Sequence, residues 1–220
     1  ISYGFLGKND PFKVASNTHF LKQVHGVKIF AQSAETNANF KGVRPSGDGI
    51  FTSTKNVVVA VRTADCLPIL LADINARFVI AVHAGWRGLS AGIIKSALST
   101  AKQNFNCSPE NIAVLMGPCI SRKAFEIEAD VLDIFREKSS TFMTAKVFER
   151  CYHSSSKANK FYLCLQSYAF YSLLSANVLA ENISAYNSCT FTEEESWYSF
   201  RRTPKLSGYN WSWISLNSKV

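Results

Sequence analysis

Histidine and cysteine side chains stand at the ends of predicted strands in the most apolar part of the chain. Cys66 comes directly before the apolar run 67–71, and His83 directly follows the run 78–82. His25 precedes a glycine at which a further strand is expected to bend. Imidazole and thiolate are preferred ligands of zinc, and three protein ligands with one open position are typical of a catalytic zinc site. These three residues are a candidate metal site, with two structural histidines and one buried cysteine as the alternative.

The same side chains also suit nucleophilic catalysis. Cys66 as a thiolate would be the nucleophile, His83 the base, and Asp48 or Asp65 the carboxylate that orients the imidazole. The two hypotheses differ in what lowers the pKa of the thiol, either a bound cation or a neighbouring imidazole. The residue pattern leaves both of them open.

The sequence after His83 predicts a helix whose start favours an anion. Apolar residues recur at helical spacing from Leu89 to Phe105, so the helix begins just beyond Arg87. Free backbone N–H groups and the positive end of the helix dipole attract negative charge at that point. An anion is therefore expected near His83 and Arg87.

The elements that must position these residues are mostly short strands. Helices are predicted at 89–105, 128–138 and 166–182, and polar connections at 33–49 and 139–160. Strands are predicted at 20–30 (bent at Gly26), 57–61, 67–71, 78–82, 112–116, 161–165, 185–191, 197–200 and 211–216. Because strands and helices do not alternate regularly, the expected fold class is α+β. The prediction is one domain over residues 1–220, with a mixed sheet flanked by helices.

Composition narrows the class of protein. The chain has 220 residues, 47% of them hydrophobic and 18% charged, which is ordinary for a globular protein. Its formal charge of +8 favours anionic ligands, but the basic residues are scattered, so nucleic acid is not the expected partner. No apolar run is long enough to cross a bilayer. Six dispersed cysteines without a CxxC pair, and no secretory segment at the start, predict a cytoplasmic protein.

Several short motifs occur together in the order seen in one bacterial family. The chain resembles the YfiH family, also described as laccase-like multicopper polyphenol oxidases, purine nucleoside phosphorylases or peptidoglycan editing factors. The motifs that carry the resemblance are Gln23-Val24-His25-Gly26, Thr63-Ala64-Asp65-Cys66-Leu67-Pro68, His83-Ala84-Gly85-Trp86-Arg87-Gly88, Gly117-Pro118-Cys119-Ile120 and Tyr198-Ser199-Phe200-Arg201-Arg202.

The resemblance implies a single α/β sandwich domain with zinc held by His25, Cys66 and His83. It implies phosphorolysis of adenosine, inosine, guanosine and methylthioadenosine, together with adenosine deamination. The expected partners are therefore a purine nucleoside and phosphate. Copper is the metal of the older laccase assignment. The alternatives are a polyphenol oxidase, a Cys-His hydrolase that edits peptidoglycan precursors, and a non-catalytic protein that kept the fold.

Ligand chemistry separates these activities. A laccase needs a copper cluster and a further copper site, all rich in imidazole, whereas this chain has four histidines and no HxH pair. A conventional multicopper oxidase is thereby excluded, although copper at a single site is not. Deamination would use zinc-activated water at C6 of adenine, with Asp65 or Asp48 carrying the proton.

Phosphorolysis needs cations that hold the phosphate. Arg87 is the first candidate, with Arg62, Arg201 and Arg202 in reserve. The predicted catalytic residues are therefore Cys66, Asp65, Arg87 and Asp48.

Four places depart from the family pattern. The segment Gly4-Phe5-Leu6-Gly7 lacks the arginine of the family's Thr-Arg-x-Gly-Gly-type start. Ser121 replaces a second glycine, Cys164 replaces the aspartate of a Leu-Asp-Leu step, and Ala169 replaces an asparagine. The metal ligands are unaffected, so these changes bear on the substrate pocket and on catalytic efficiency.

Overall fold

The computed structural model describes residues 1–10, 18–32 and 44–217. Its helices are α1 (Trp86–Ser90), α2 (Ile93–Phe105), α3 (Ala129–Ser139), α4 (Ala145–Phe148) and α5 (Leu165–Ser175). Its strands are β1 (Ser2–Leu6), β2 (Thr18–His19), β3 (Ile29–Ala31), β4 (Gly49–Thr52), β5 (Val58–Thr63), β6 (Leu67–Asp73), β7 (Val79–Ala84), β8 (Ile112–Met116), β9 (Glu126–Glu128), β10 (Tyr152–Ser154), β11 (Lys160–Leu163), β12 (Ile183–Ala185) and β13 (Asn210–Ser215). Single 3₁₀ turns lie at Pro109–Asn111, Glu149–Cys151 and Ala180–Asn182.

The strands form three sheets. A six-stranded mixed sheet has the order β12-β8-β6-β7-β4-β3, with β12 parallel to β8 and β3 parallel to β4. A four-stranded sheet has the order β1-β13-β5-β2, and a small antiparallel sheet has the order β10-β11-β9. The predicted α+β class with a mixed sheet and flanking helices is confirmed.

The central strands β6 and β7 are buried on both faces, which explains their nearly continuous apolar sequence. One set of alternating side chains packs against the four-stranded sheet: Leu70, Ala72, Val79 and Ala81 meet Val59, Val61 and Ile214. The other set packs against α2 and α5: Ile69, Leu71, Ile80 and Val82 meet Ile93, Ala97, Ala169 and Leu173. The core on the helix side extends to Leu67, Val82 and Ala84, which are the sequence neighbours of Cys66 and His83.

The strands predicted at 57–61, 67–71, 78–82, 112–116 and 211–216 are present within one or two residues of their predicted ends. The helix predicted at 128–138 is present as α3. The helix predicted at 89–105 is present but interrupted, because Gly92 has a φ of +95° and separates α1 from α2. It begins at Trp86, so Arg87 lies within its first turn and not, as predicted, before it.

Other boundaries were predicted wrongly. The strand expected over 20–30 exists only at its end as β3, because residues 24–26 bend around a carboxylate instead. The helix expected over 166–182 ends at Ser175, just before Asn177, which has a φ of +67°.

The region expected as a polar connection at 139–160 contains α4 and β10. Of the strands expected at 185–191 and 197–200, only Ala185 is in a strand. The carboxylate of Glu193 binds the backbone N–H of Cys189 and holds that segment in a turn. Most of the connection predicted at 33–49 lies outside the described residues.

None of the helices in the described ranges combines the length and apolar character that a membrane crossing requires.

An ion pair between the buried carboxylate of Asp73 and the exposed side chain of Arg77 closes the end of β6, and we expect it to make stability depend on pH. Asp73 is fully buried and accepts hydrogen bonds from Arg77 Nε at 2.7 Å and from Arg77 Nη2 at 3.1 Å. Burial would raise the pKa of Asp73, but the bonds from Arg77 and Cys107 outweigh it and lower that pKa. The charged carboxylate therefore stabilises the fold at neutral pH.

Asp73→Asn should reduce the free energy of unfolding by about 1–3 kcal/mol at neutral pH. Because the folded pKa lies below the unfolded value of about 3.9, the deficit should shrink as pH falls through the folded pKa. Urea unfolding at pH values on either side of that range measures both effects. The control is Asp133→Asn, which breaks an exposed ion pair with Arg136 and should cost little. A deficit that does not change with pH would contradict this account.

Candidate metal centre

Asp48 shapes the loop that carries His25. Its carboxylate is fully buried and accepts backbone N–H bonds from Val24 at 3.1 Å, from His25 at 2.8 Å and from Gly26 at 2.7 Å. Three successive N–H groups pointing at one carboxylate require a tight bend, and His25 has a φ of +60°. The bend turns the backbone around Asp48 and leaves the His25 ring exposed above it.

A glutamine ties the same loop to the four-stranded sheet. Gln23 Nε2 donates to the carbonyl of Arg62 at 2.6 Å, and the Arg62 N–H donates to Gln23 Oε1 at 2.9 Å. The side chain thereby replaces a neighbouring strand at this position of β5. His25 is consequently fixed relative to both sheets by residues on either side of the bend.

His83 lies near the end of β7, and Asp48 sets its ring. Its Nδ1 donates to Asp48 Oδ1 at 2.8 Å, and its side chain is 3% exposed. With Nδ1 engaged in this way, Nε2 is free to bind a metal ion. One buried carboxylate therefore orients two of the three candidate ligands.

Cys66 is placed by the turn between β5 and β6. The preceding residue, Asp65, has a φ of +96°, and its carboxylate accepts bonds from Thr190 Oγ1 at 2.7 Å and from the Arg201 N–H at 2.6 Å. The Ile120 N–H also donates to the Asp65 carbonyl at 3.0 Å. These contacts fix the turn between β5 and β6, and the turn directs Cys66 Sγ toward His25 Nε2 at a distance of 3.8 Å.

The three donor atoms are close enough for one metal ion. One atom from each of His25, Cys66 and His83 lies within 4.8 Å of the others. Two nitrogen or sulfur donors of a tetrahedral zinc ion are separated by roughly 3.3–3.6 Å, so small side-chain movements would complete the set. The three donors fit zinc in chemical type and in number.

The charges at this centre favour a thiolate, whereas His83 has to release a proton before it can bind a metal ion. Burial would raise the pKa of the Cys66 thiol, but His25 and His83 outweigh it and lower that pKa to about 7. Burial would lower the pKa of His83, but hydrogen bonds to Asp48 and Cys66 raise it to about 9. For Asp48 itself, burial is outweighed by the bonds from His83, Gly26 and His25, and its pKa is lowered. A thiolate is therefore available near neutral pH.

The centre opens into a pocket of about 740 Å³. His25, Cys66 and His83 lie in its wall together with Asp65 and Arg87. Its remaining walls combine aromatic with cationic side chains: Trp86, Phe125, Phe200, Tyr209, Lys22, Arg62 and Arg201. A cavity of this size suits a small-molecule ligand.

Two predicted residues lie outside this lining. Asp48 sits behind His83, where it orients the ring. Arg202 donates to the carbonyls of Thr190, Phe191 and Trp197, so its guanidinium is engaged in holding a loop. We therefore assign Asp48 a positioning role and drop Arg202 as a phosphate ligand.

Sequence reasoning missed the aromatic wall formed by Phe200 and Tyr209. These side chains are 56% and 47% exposed, although both are large and apolar. Aromatic residues flanking the Arg201-Arg202 pair and the following Pro/Gly loop were the available signal. Only the fold shows that this loop faces the strand ends.

Gly85 leaves room for two of the donors, and we expect Gly85→Ala to weaken metal binding. An added Cβ would lie 2.6 Å from His25 Cδ2 and 3.1 Å from Cys66 Sγ. Displacing these groups should lower zinc affinity by about 10- to 100-fold. Competition with a chromogenic chelator measures the affinity.

The matched control is Gly26→Ala in the same centre. Its Cβ would meet Asp48 Oδ2 at 3.5 Å and Val24 Cγ2 at 3.7 Å, which are ordinary contacts. It should retain zinc within a few-fold of the unsubstituted protein. Equal losses in both variants would show that any added methyl group at this centre is harmful.

Known proteins resemble this chain over most of its length. The family model described as multi-copper polyphenol oxidoreductase laccase matches residues 9–217. Proteins named purine nucleoside phosphorylase YfiH from Shigella flexneri and Escherichia coli K12 are 33% and 32% identical over 195 residues, or 87% of this chain and 72% of each relative. The crystal structure of a Bacillus licheniformis protein described as hypothetical protein YfiH has a TM-score of 0.83 at 23% identity, covering 94% of this chain and 78% of that one.

The structural likeness at 23% identity shows a shared fold. The family model and the sequence relatives go further, because together they span nearly all of the chain, including the His25, Cys66 and His83 motifs. The chain therefore belongs to the YfiH family, whose family model is described as multi-copper polyphenol oxidoreductase laccase.

Proposed function

We propose that the protein is a zinc-dependent purine nucleoside phosphorylase with adenosine deaminase side activity. The observation that carries the proposal is a His-Cys-His donor set in the wall of a pocket lined by aromatic and cationic side chains. Aromatic faces suit a purine base, and cations suit phosphate. The name purine nucleoside phosphorylase, which the YfiH relatives carry, supports the phosphorylase part of this proposal.

The donor set favours zinc over a copper cluster. Only two of the four histidines, His25 and His83, are at the centre. His19 lies in β2, and the His153 ring stacks on Tyr162 in the small sheet. Two imidazoles and one thiolate cannot bind the several copper ions that a multicopper oxidase requires.

Phosphorolysis transfers the ribose from the base to phosphate. A phosphate oxygen forms a bond to C1′ while the C1′–N9 bond breaks, and its electron pair leaves with the purine. The base takes up a proton, and the products are free purine and ribose 1-phosphate. Zinc, when bound by His25, Cys66 and His83, would supply Lewis-acid polarisation.

The protein's own groups would bind and orient the reactants. Trp86, Phe200 and Tyr209 offer flat apolar faces for the base. Arg62, Arg87 and Arg201 bring guanidinium groups to the same cavity for the phosphate. Asp65 is the one carboxylate among the lining residues in the described ranges, so we propose it as the group that exchanges a proton, in addition to accepting the bonds from Thr190 and the Arg201 N–H.

The test measures metal content and turnover in the same preparation. Elemental analysis should find about one zinc ion per chain. Adenosine and inosine should yield free base and ribose 1-phosphate only when phosphate is present. Deamination would instead convert adenosine to inosine with release of ammonia, and would not need phosphate. A zinc-loaded protein that converts no nucleoside would overturn the proposal.

One observation favours a cysteine hydrolase as the second candidate. Cys66, His83 and Asp48 form a connected series, in which the thiol pKa is lowered to about 7 and Asp48 orients the imidazole at 2.8 Å. This hydrolase would work without metal and would act on a peptidoglycan precursor. The hydrolase is favoured if the protein contains no metal and if rapid alkylation of Cys66 by iodoacetamide abolishes hydrolase activity. Protection of Cys66 by added zinc, with nucleoside turnover, would favour the phosphorylase.

A further inference from the structure

Arg62 presents a guanidinium that aromatic rings surround. It is the penultimate residue of β5 and lines the pocket. Its Cζ lies 5.0 Å from the centre of the Tyr209 ring, 5.1 Å from that of Phe20 and 5.7 Å from that of Trp211. Trp211 is also its direct partner on β13. These rings hold the side chain in place without using its N–H groups.

No side-chain N–H of Arg62 donates to another protein group in the described ranges, and its Nε is buried without a partner. Two other arginines use their guanidinium groups within the protein: the exposed Arg77 donates to Asp73 and the Phe105 carbonyl, and the half-buried Arg202 donates to three carbonyls. A buried donor without an acceptor is costly. The guanidinium group of Arg62 is therefore held in the pocket wall without a protein acceptor in the described ranges.

Cations accumulate around the same ring. Arg44 Cζ lies 4.0 Å from the centre of the Phe20 ring, so two guanidinium groups share it. Lys22 lines the pocket next to them. Burial, and then repulsion from Arg44, lower the pKa of Arg62. Within the described part of the chain, no carboxylate forms an ion pair with any of these three cations. An anion would relieve the repulsion and use the free donors.

We propose that Arg62, supported by Lys22 and Arg44, anchors a subsite for a dianionic phosphate group in this pocket. The planar guanidinium group of Arg62 can donate hydrogen bonds to two phosphate oxygens at once, whereas an ammonium group lacks this bidentate geometry. Arg62 suits the role better than Arg87, since Arg87 is exposed and rests on the Trp86 ring, 4.3 Å away. Assigning this subsite to the phosphate of phosphorolysis rests on the proposed function. The same chemistry would also bind a nucleotide 5′-phosphate.

The experiment compares three ligands on the zinc-loaded protein by calorimetry: inorganic phosphate, adenosine and adenosine 5′-monophosphate. Arg62→Gln should weaken binding of the phosphate-bearing ligand by about tenfold or more while adenosine binding stays within about twofold. Arg62→Lys should give an intermediate loss, and Arg87→Gln a smaller one. Arg136→Gln, which removes one exposed positive charge on α3, is the matched control.

The ligand that loses affinity identifies the source of the phosphate. If Arg62 serves inorganic phosphate, only phosphate binding weakens. If it serves a nucleotide, the monophosphate binds more tightly than adenosine and Arg62→Gln removes that advantage. Three results would overturn the inference. Arg62→Gln could bind phosphate and the monophosphate as tightly as the unsubstituted protein, or it could lose as much affinity for adenosine as for the phosphate-bearing ligand. Arg87→Gln could also lose as much affinity for the phosphate-bearing ligand as Arg62→Gln, or more.

Folding is checked independently by thermal unfolding and zinc content. Should Arg62→Gln unfold, Lys22→Gln provides the second test, because Lys22 is exposed and its loss should weaken phosphate binding a few-fold. If neither Lys22→Gln nor Arg62→Lys then changes the affinity for the phosphate-bearing ligand, the subsite is rejected. If phosphate binding depends on Arg62 but the protein catalyses no phosphorolysis, the subsite is supported and the proposed function is rejected.

Discussion

Replacing Cys66 by serine is expected to leave the purified protein with less than about a tenth of the zinc of the unsubstituted chain. The thiolate is one of three donors, and a serine hydroxyl is a poor zinc ligand at neutral pH. Nucleoside turnover should fall with the metal. Elemental analysis after gel filtration and chelator competition measure the loss.

Cys164 supplies the matched control. It is half-buried like Cys66, but its sulfur accepts the Ser167 N–H at 3.4 Å and caps α5. Serine is a good residue at that position, so Cys164→Ser should keep both the fold and the zinc. In the presence of a chelator, Cys66→Ser should unfold at nearly the same temperature as the unsubstituted protein. Full zinc content in Cys66→Ser would remove the thiolate from the centre.

Asp48→Ala is expected to damage both the fold and the centre. It leaves the backbone N–H groups of residues 24–26 and the His83 imidazole without their buried acceptor. Loss of one partner from such a buried set should cost about 3–5 kcal/mol in unfolding free energy. Zinc affinity should fall about 10- to 100-fold, because two ligands lose their orientation.

The contrast with Cys66→Ser makes this prediction specific. Asp48→Ala should be destabilised with and without chelator, whereas Cys66→Ser should differ from the unsubstituted protein only when zinc is present. Urea unfolding under both conditions measures the difference. Asp48→Asn, which keeps the shape and one acceptor oxygen, should be less destabilised than Asp48→Ala. Unchanged stability of Asp48→Ala would show that water replaces the carboxylate in the loop.

Much of the central sheet was predictable because burial on both faces leaves a strong local signal. The runs 67–71 and 78–82 of the six-stranded sheet contain no polar residues, nor does the run 57–61 of the sheet packed against it, and each is a strand at the predicted place. Cys66 and His83 interrupt that pattern at strand ends. A costly polar group in an apolar context can be found without knowing the fold.

The 20–30 segment was mispredicted because its conformation depends on a distant residue. Its alternation of apolar residues resembles a strand, yet the buried carboxylate of Asp48 bends residues 24–26 around itself. Asp48 between two glycines resembles an ordinary turn residue in the sequence. Its connection to His83 exists only after β4 pairs with β7.

The ranking of the arginines likewise depended on the tertiary structure. The sequence by itself determined the apolar strands, the α+β class and the residue types able to hold a metal ion, because these follow from local patterns of burial and donor chemistry. Only the tertiary structure decided that Arg202 holds a loop, that Arg87 is exposed and that Arg62 Nε, among aromatic side chains, has no acceptor within the described residues. Hydrogen-bond satisfaction is settled between segments far apart in the chain, so no local pattern can reveal it.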